Sequence, residues 1–288
     1  MPIKMVLEAS EQQRTYMNVT ANQCPGCPEN LATRLVMQTV FDSLGDQNPI
    51  IFGQGCGIGR DFLQRSGLGT HDSGIVGMLT AMKVRDIDRP IVVIDGDGQI
   101  DLGLEDLATA FQQGYKYIHV TCDNQAHAAS GSHATGSTAP MARTSVRPGG
   151  KLRHPKHFPL ILMHSGAEYV ATASTSHPQD LERKLKNAMT RMPAFIQIIT
   201  PCNPTWGYDD HKGIEVSRLA VESGMWPLYE FKDGVFSRQA IMAKASVRDY
   251  VSSQRRYAHL TDADIVSMEE YAADLSSIIG KLAKGFCE

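Results

Sequence analysis

Four of the six cysteines in this chain lie in sequence contexts typical of metal ligands. Two residues separate Cys24 from Cys27, so both can chelate one centre. Cys56 lies in a glycine-rich turn, and Cys202 follows a proline. Four thiolates suit either Zn²⁺ or a cubane iron–sulfur cluster, and spacing alone does not choose between them. A thioredoxin-like redox pair is the rival interpretation of Cys24 and Cys27, but the surrounding sequence lacks the required β–α pattern.

Cysteine usage also favours metal binding over disulfides. The 288-residue chain begins without the apolar core and cleavage site of a secretion signal, so we expect a cytoplasmic protein. Large cytoplasmic proteins rarely carry a disulfide framework, which is typical of small secreted domains. Cys122, at a predicted strand end, and Cys287, near the terminus, are predicted to be small hydrophobic residues outside the ligand set.

Oxygen-bearing side chains form a second candidate site. Asp97 and Asn124 each follow a predicted strand, separated by about the length of one helix and one strand. Ligands of open parallel sheets bind beyond the carboxyl ends of strands, so these two side chains are expected to meet there. A carboxylate and an amide oxygen suit Mg²⁺ carrying a diphosphate. Gly96-Asp97-Gly98 is equally typical of a plain turn, and a Rossmann site is disfavoured because its glycine pattern is missing.

The elements that must position these residues alternate between strands and helices. A short buried strand is predicted at 49–53, and the β-branched run at 91–94 predicts another. Apolar residues from Leu104 to Phe111 share one helical face, and Gly114 marks the helix end. A strand at 117–121 completes a right-handed β–α–β unit. The pattern predicts an α/β fold with an open, mostly parallel sheet and helices on both faces.

The second half of the chain continues this pattern. Strands are predicted at 160–162, 169–171 and 194–199, with an amphipathic helix at 179–189. Residues 125–157 are poor in apolar side chains and are predicted to form a long functional loop. We expect residues 1–202 to form the cofactor-binding domain. Residues 203–288, with a helix at 215–223 and two later polar helices, should form an extension packing on partner subunits.

Composition excludes two classes of partner. The chain has 28 Lys and Arg against 31 Asp and Glu, which gives a formal charge of -3. That balance does not favour binding to a phosphate backbone, so no nucleic acid partner is expected. No apolar run approaches the ~20 residues that span a bilayer, so no membrane association is expected either.

The motifs together resemble the β subunit of a 2-oxoacid:ferredoxin oxidoreductase of the pyruvate synthase group. The similarity covers nearly the whole chain. It rests on the following segments: Cys24-Pro25-Gly26-Cys27-Pro28-Glu29, Gly55-Cys56-Gly57, Thr70-His71, Gly96-Asp97-Gly98, Asp123-Asn124, Tyr169-Val170-Ala171-Thr172-Ala173-Ser174, Pro193-Ala194-Phe195-Ile196, Pro201-Cys202 and Trp226-Pro227-Leu228-Tyr229-Glu230.

This resemblance implies cofactors and their ligands. Members of the family bind thiamine diphosphate through Mg²⁺, held here by Asp97, Asn124 and the backbone carbonyl of Ala126. The four thiolates named above would hold a [4Fe-4S] cluster, which displaces the zinc interpretation. His71 is a candidate catalytic residue facing the cofactor. The residues implied in cofactor binding are Gly55, Gly57, Gly96, Asp97, Gly98, Asn124, Ala126 and Gly131.

The resemblance also implies partners and a reaction. The activating Glu of the cofactor would belong to an α subunit with a pyrimidine-binding domain, and the complex would include a γ subunit and a ferredoxin-like δ subunit. Electrons would pass to external ferredoxin, and coenzyme A would accept the acyl group. His127 and Ala129 stand where pyruvate-type members commonly have Tyr and Asn, so a 2-oxoacid other than pyruvate is favoured.

Two other functions compete with this one. A non-redox thiamine diphosphate decarboxylase or carboligase would normally carry its own pyrimidine-binding domain and no four-cysteine set. A zinc-stabilised α/β scaffold without catalytic activity would use Gly96-Asp97-Gly98 only as a turn.

Overall fold

A seven-stranded sheet forms the centre of the described structure. The computed structural model describes residues 24–44, 47, 49–54, 56, 74–86, 88–239 and 244–285. The strands are β1 (Ile50–Gln54), β2 (Ile91–Gly96), β3 (Ile118–Asp123), β4 (Tyr169–Ser174), β5 (Ala194–Ile199), β6 (Tyr229–Lys232) and β7 (Val235–Arg238).

Ten α-helices surround this sheet within the described ranges. They are α1 (Pro28–Leu44), α2 (Ile75–Val84), α3 (Asp97–Leu102), α4 (Leu104–Gln112), α5 (Phe158–His164), α6 (Pro178–Met189), α7 (Asn203–Trp206), α8 (Gly213–Glu222), α9 (Val247–Ser252) and α10 (Asp262–Gly285).

The strand order brings the predicted site residues together at the carboxyl ends of neighbouring strands. Strands run in the order β1-β2-β3-β5-β4-β6-β7, and the first five of these pair in parallel. Every residue of β2, β3, β4 and β5 is buried, as the apolar run at 91–94 predicts for β2. Because parallel strands share a direction, the carboxyl ends of β2, β3 and β5 lie side by side. The predicted α/β fold with a mostly parallel sheet is confirmed.

Helices cover both faces of the sheet and build two apolar cores. One core includes Val36 of α1 and Leu185 of α6, packed beside Val120 of β3. The other includes Phe111 of α4 and the buried apolar residues of α10, packed beside Phe195 of β5. The amphipathic stripe predicted on α4 therefore faces the core, and Gly114 follows the helix end with a φ of 69°.

Residues 160–162 were predicted as a strand, and that prediction is wrong: they lie inside α5. A short run of Leu and Ile has no periodicity that separates a strand from a buried helix. The deciding signal is Pro159, which fits the first helical turn, where its missing N–H costs nothing. Phe158, Leu162 and Met163 then turn their side chains into the core.

The hairpin β6–β7 was missing from the sequence prediction. Its turn is Asp233-Gly234, whose φ values of 53° and 79° are those of a tight two-residue hairpin. β6 pairs antiparallel with β4 and so extends the same sheet beyond residue 202. The division of the chain into domains at that residue stays a prediction.

Candidate cofactor site

Asp97 sits at the junction of β2 and α3 and is enclosed by hydroxyl groups. Gly96 ends the strand, and Asp97 is the first helical residue, with 1% of its surface exposed. Thr135 Oγ1 donates a hydrogen bond to Asp97 Oδ2 at 2.6 Å, and Ser137 Oγ donates to the same oxygen at 2.9 Å. Both hydroxyls belong to the 125–157 loop, which is free of α-helix and strand and folds over this strand end.

A second buried carboxyl group, that of Asp123, lies beside the first. Ser137 Oγ is 2.8 Å from Asp123 Oδ1, which also accepts the N–H of Gln125 at 2.7 Å. Gln197 Nε2 of β5 donates to the other oxygen at 2.6 Å. No role was predicted for Asp123 from the sequence, although its place at the end of β3, next to Asn124, pointed to this end of the sheet.

The two carboxyl groups disfavour each other's charge. Burial, and then repulsion from Asp123, holds the pKa of Asp97 well above its usual value. Burial likewise raises the pKa of Asp123 to about 6, against hydrogen bonds that lower it. Since the Ser137 hydroxyl has one proton, it donates to one carboxyl group at a time, and its second contact is a hydrogen bond only when the other carboxyl group is protonated.

Asn124 follows β3 and folds back on its own turn. Its side-chain oxygen accepts the N–H of Ala126 at 3.1 Å, and its backbone carbonyl accepts the indole N–H of Trp206 at 2.8 Å. The carbonyl of Ala126 accepts the N–H of Ala128 at 2.8 Å. In the pairing of β2 with β3, Gly96 lies opposite Cys122, so Asp97 and Asn124 follow at neighbouring strand ends. Their joint binding of one Mg²⁺ stays a prediction.

Lys151 fastens the loop segment that carries the two hydroxyls. Its ammonium donates to the backbone carbonyls of Thr135, Gly136 and Thr138 at 3.1, 3.0 and 2.8 Å. Burial lowers the pKa of Lys151 to about 8. Sequence reasoning missed this lysine because its partners are carbonyl groups of residues 13 to 16 positions away, which no local pattern marks.

The predicted glycines differ in what surrounds them. A Cβ on Gly98 would overlap the imidazole of His127, so the loop packs directly on the backbone of α3. A Cβ on Gly96 would lie 3.1 Å from the side-chain oxygen of Gln99. Gly131 has a φ of 102° and ends the 3₁₀ turn Ala128–Ser130. Gly55, Gly57 and His71 lie outside the described residues.

Three of the four predicted ligand cysteines interact electrostatically: Cys24, Cys27 and Cys202. Cys24 and Cys27 form a turn before α1, and Cys202 caps α7. Burial, then the charge of Glu29, raises the pKa of Cys27 to about 12, and Cys202 adds to this rise. Burial also raises the pKa of Cys202, to which Cys24 contributes.

Cys56 is exposed just beyond β1. Within the described ranges, no three His, Cys, Asp or Glu side chains are already arranged as a metal site. The four-cysteine set therefore stays a prediction. Cys122 lies in β3 with no exposed surface, and Cys287 is outside the described residues.

Gly26 is required by the turn that holds Cys24 and Cys27. Its φ is 66°, and a Cβ there would overlap the backbone carbonyl of Asp210. Asn203 Nδ2 hydrogen-bonds both Asp210 and the carbonyl of Pro25, at 3.4 Å for the latter, so this turn is tied to α7.

We expect Gly26→Ala to lower both the melting temperature and the iron content of the purified protein. The left-handed conformation alone costs Ala about 1–2 kcal/mol, and the backbone overlap adds to this cost. Gly114→Ala is the matched control, because its φ is 69° and a Cβ there meets no atom within 4 Å. Equal losses in the two variants, measured by calorimetry and iron analysis, would contradict the role given to the overlap.

The chain matches known proteins in sequence and in fold. Residues 52–198 match the family model of the thiamine pyrophosphate enzyme C-terminal TPP binding domain. Pyruvate synthase subunit PorB of Methanocaldococcus jannaschii is 37% identical over 72% of this chain and 74% of its own length. Ketoisovalerate oxidoreductase subunit VorB of Pyrococcus furiosus is 33% identical over 74% of this chain and 73% of its own.

A solved structure shares the fold. The 2-oxoglutarate:ferredoxin oxidoreductase from Magnetococcus marinus, solved with 2-oxoglutarate, coenzyme A and succinyl-CoA bound, superposes with a TM-score of 0.57. The match covers 70% of each chain at 22% sequence identity.

The fold and the matched domain define a thiamine pyrophosphate enzyme. Within that class, the chain belongs to the family of 2-oxoacid:ferredoxin oxidoreductase subunits that includes PorB and VorB. The resemblance found in the sequence is thereby confirmed. None of the helices within the described ranges has both the length and the apolar character needed to cross a bilayer.

Proposed function

We propose that this chain binds thiamine diphosphate through a Mg²⁺ ion held by Asp97, Asn124 and the carbonyl of Ala126. The observation that carries this proposal is the buried pair Asp97 and Asp123, two carboxyl groups whose pKa values are raised by burial and, for Asp97, also by the charge of Asp123, so a nearby cation would stabilise both as carboxylates. A divalent cation relieves that repulsion and leaves the Thr135 and Ser137 hydroxyls to orient the carboxylates.

A small cavity lies beside this pair. It has a volume of about 40 Å³ and is lined by Gln125 together with Asp123 and Ser137, but not by Asp97, Asn124 or Ala126. Gln125 Oε1 is buried without a hydrogen-bond partner in the described part of the chain. A cavity of this size with three polar neighbours accommodates a water molecule, so it is a place for water beside the site and not for the metal itself.

We propose further that Cys24, Cys27, Cys56 and Cys202 hold a [4Fe-4S] cluster. Burial, then the nearby carboxylate of Glu29, raises the pKa of Cys27 to about 12, and burial raises the pKa of Cys202, so a bound metal centre would be needed to hold both as thiolates. A set of four cysteine ligands is the usual set for such a cluster.

The reaction proposed for the assembled enzyme is oxidative decarboxylation of a 2-oxoacid to an acyl-CoA and CO₂, with electrons passed to ferredoxin. Thiamine diphosphate supplies a ring that stabilises the carbanion left by decarboxylation. The proposal takes its substrate class from the names of the relatives, and coenzyme A from the structural neighbour. The residues of this chain bind and orient the cofactor, while an α subunit supplies the activating Glu and γ and δ subunits complete the complex.

Reconstitution tests this division of labour. We expect the purified chain, loaded with thiamine diphosphate, Mg²⁺ and its cluster, to show no 2-oxoacid-dependent reduction of a viologen dye until the partner subunits are added. A panel of 2-oxoacids assayed with the complete complex would identify the substrate. Sustained turnover by the chain alone would refute the assignment of a catalytic Glu to a partner.

A further inference from the structure

The short helix α7 connects the two candidate cofactor sites. Cys202 caps its first turn, and the backbone N–H of Trp206 donates to the carbonyl of Cys202 at 2.8 Å. Midway along the helix, Thr205 Oγ1 hydrogen-bonds Ser132 Oγ of the 125–157 loop at 2.9 Å. Gly207 ends the helix in a left-handed conformation, with a φ of 75°.

The side chain of Trp206 reaches the turn after β3. Its indole N–H donates to the backbone carbonyl of Asn124 at 2.8 Å, and the Trp206 side chain is completely buried. The N–H of the same peptide unit, on Gln125, is held by Asp123 Oδ1 at 2.7 Å. Both polar ends of the peptide that joins Asn124 to Gln125 are therefore fixed.

This fixed peptide holds a strained conformation. Gln125 has a φ of 61°, which a residue with a side chain rarely adopts. Its own carbonyl accepts the hydroxyl of Thr138 at 2.6 Å. Such strain persists only where the surroundings determine the backbone completely. Without the indole donor, the carbonyl of Asn124 loses one of the two bonds that orient this peptide.

A buried cation keeps the Trp206 ring in place. The guanidinium carbon of Arg256 lies 3.4 Å from the centre of the indole, and Tyr250 meets the same ring edge-on at 6.3 Å. The guanidinium is itself held by Gln254 Oε1 and the Tyr250 hydroxyl, each at 2.8 Å. The indole that hydrogen-bonds the turn after β3 is thus held in place by side chains C-terminal to α7.

We propose that Trp206 is a positioning residue for the metal-binding turn at residues 124–126. It acts by orienting the peptide after Asn124, and it touches neither the metal nor the cofactor. The proposal rests on the function proposed above and adds a dependence of that site on α7, the helix that follows Cys202. Sequence patterns do not mark this role, because the indole and its acceptor are 82 positions apart.

Trp206→Phe tests the role, because it removes the indole N–H and keeps an aromatic ring. Calorimetric titration of the complete, cofactor-stripped complex with thiamine diphosphate at subsaturating Mg²⁺ should give a dissociation constant roughly tenfold higher, or about 1.4 kcal/mol. Saturating Mg²⁺ should shrink this deficit, since mass action restores occupancy of a weakened metal site.

Trp226→Phe is the matched control. Its buried indole N–H also donates to a backbone carbonyl, that of Ala173 in β4, at 3.0 Å. We expect its dissociation constant for thiamine diphosphate to stay within about twofold of the wild-type value. An unchanged dissociation constant in Trp206→Phe, an equal loss in both variants, or a deficit that Mg²⁺ does not shrink would each overturn the positioning role. Failure of the wild-type complex to bind thiamine diphosphate would instead refute the proposed function.

Discussion

Asp97→Asn should abolish binding of thiamine diphosphate and Mg²⁺ while raising the melting temperature of the cofactor-free protein. The carboxyl group is buried beside Asp123, and burial and repulsion together hold its pKa well above the usual value. The amide keeps the shape of the side chain and cannot ionise, so the empty site no longer bears the cost of a second buried carboxylate or of protonating it. Loss of the Asp97 carboxylate also removes the charge partner of the cation. Breaking a buried ion pair costs about 3–5 kcal/mol, which lowers the affinity at least about 100-fold.

Asp101→Asn is the control for this variant. Asp101 lies on the same helix, but its carboxylate accepts the N–H of Gly136 at 2.8 Å and the ammonium of Lys156 at 2.7 Å. We expect less than about tenfold loss of affinity there, because these bonds act on the loop and not on the metal. Calorimetric titration gives the affinities and differential scanning calorimetry the melting temperatures. Wild-type affinity in Asp97→Asn would remove Asp97 from the metal site, and a lower melting temperature would contradict the repulsion.

Replacing any one of Cys24, Cys27, Cys56 and Cys202 by Ser should remove the [4Fe-4S] cluster or convert it to a smaller one. A serine oxygen is a poor substitute for a thiolate at a cubane iron, so absorbance, EPR signal and acid-labile sulfide should fall together. Cys202→Ser is the most informative member, because that residue is also the N-cap of α7. An intact EPR signal in this variant would contradict its place in the set.

The controls for the cysteine series are Cys122→Ala and Cys287→Ala. Cys122 has no exposed surface and packs in an apolar core, so Ala is preferable to Ser, which would bury a hydroxyl group. Both variants should keep the full iron and sulfide content of the wild type. Loss of the cluster in either would extend the ligand set beyond the four residues proposed.

The central strands could be predicted because their residues are buried on both faces and read as continuous apolar runs. The run at 91–94 and that at 194–199 both lie within strands of the sheet. The short run at 160–162 failed, since the same composition suits a buried helix. The hairpin after residue 228 could have been found from Asp233-Gly234, a strong local turn signal.

The candidate site was only partly within reach of sequence reasoning. Asp97 and Asn124 were identifiable because each ends a strand. Thr135 and Ser137 were not, because their hydrogen bonds to Asp97 join residues 38 and 40 positions apart through a loop without periodicity. Such contacts depend on how the loop folds over the sheet, which local composition does not encode.

The order of strands has a consequence for synthesis of the chain on the ribosome. β3 pairs with β5, which follows it by about 70 residues, and β4 adds only on the far side of β5. At about 5–20 residues per second, the unpaired backbone edge of β3 waits roughly 4–15 s for its neighbour. Exposed strand edges of this kind recruit other strands, so the nascent chain should be a client of ribosome-associated chaperones during that interval.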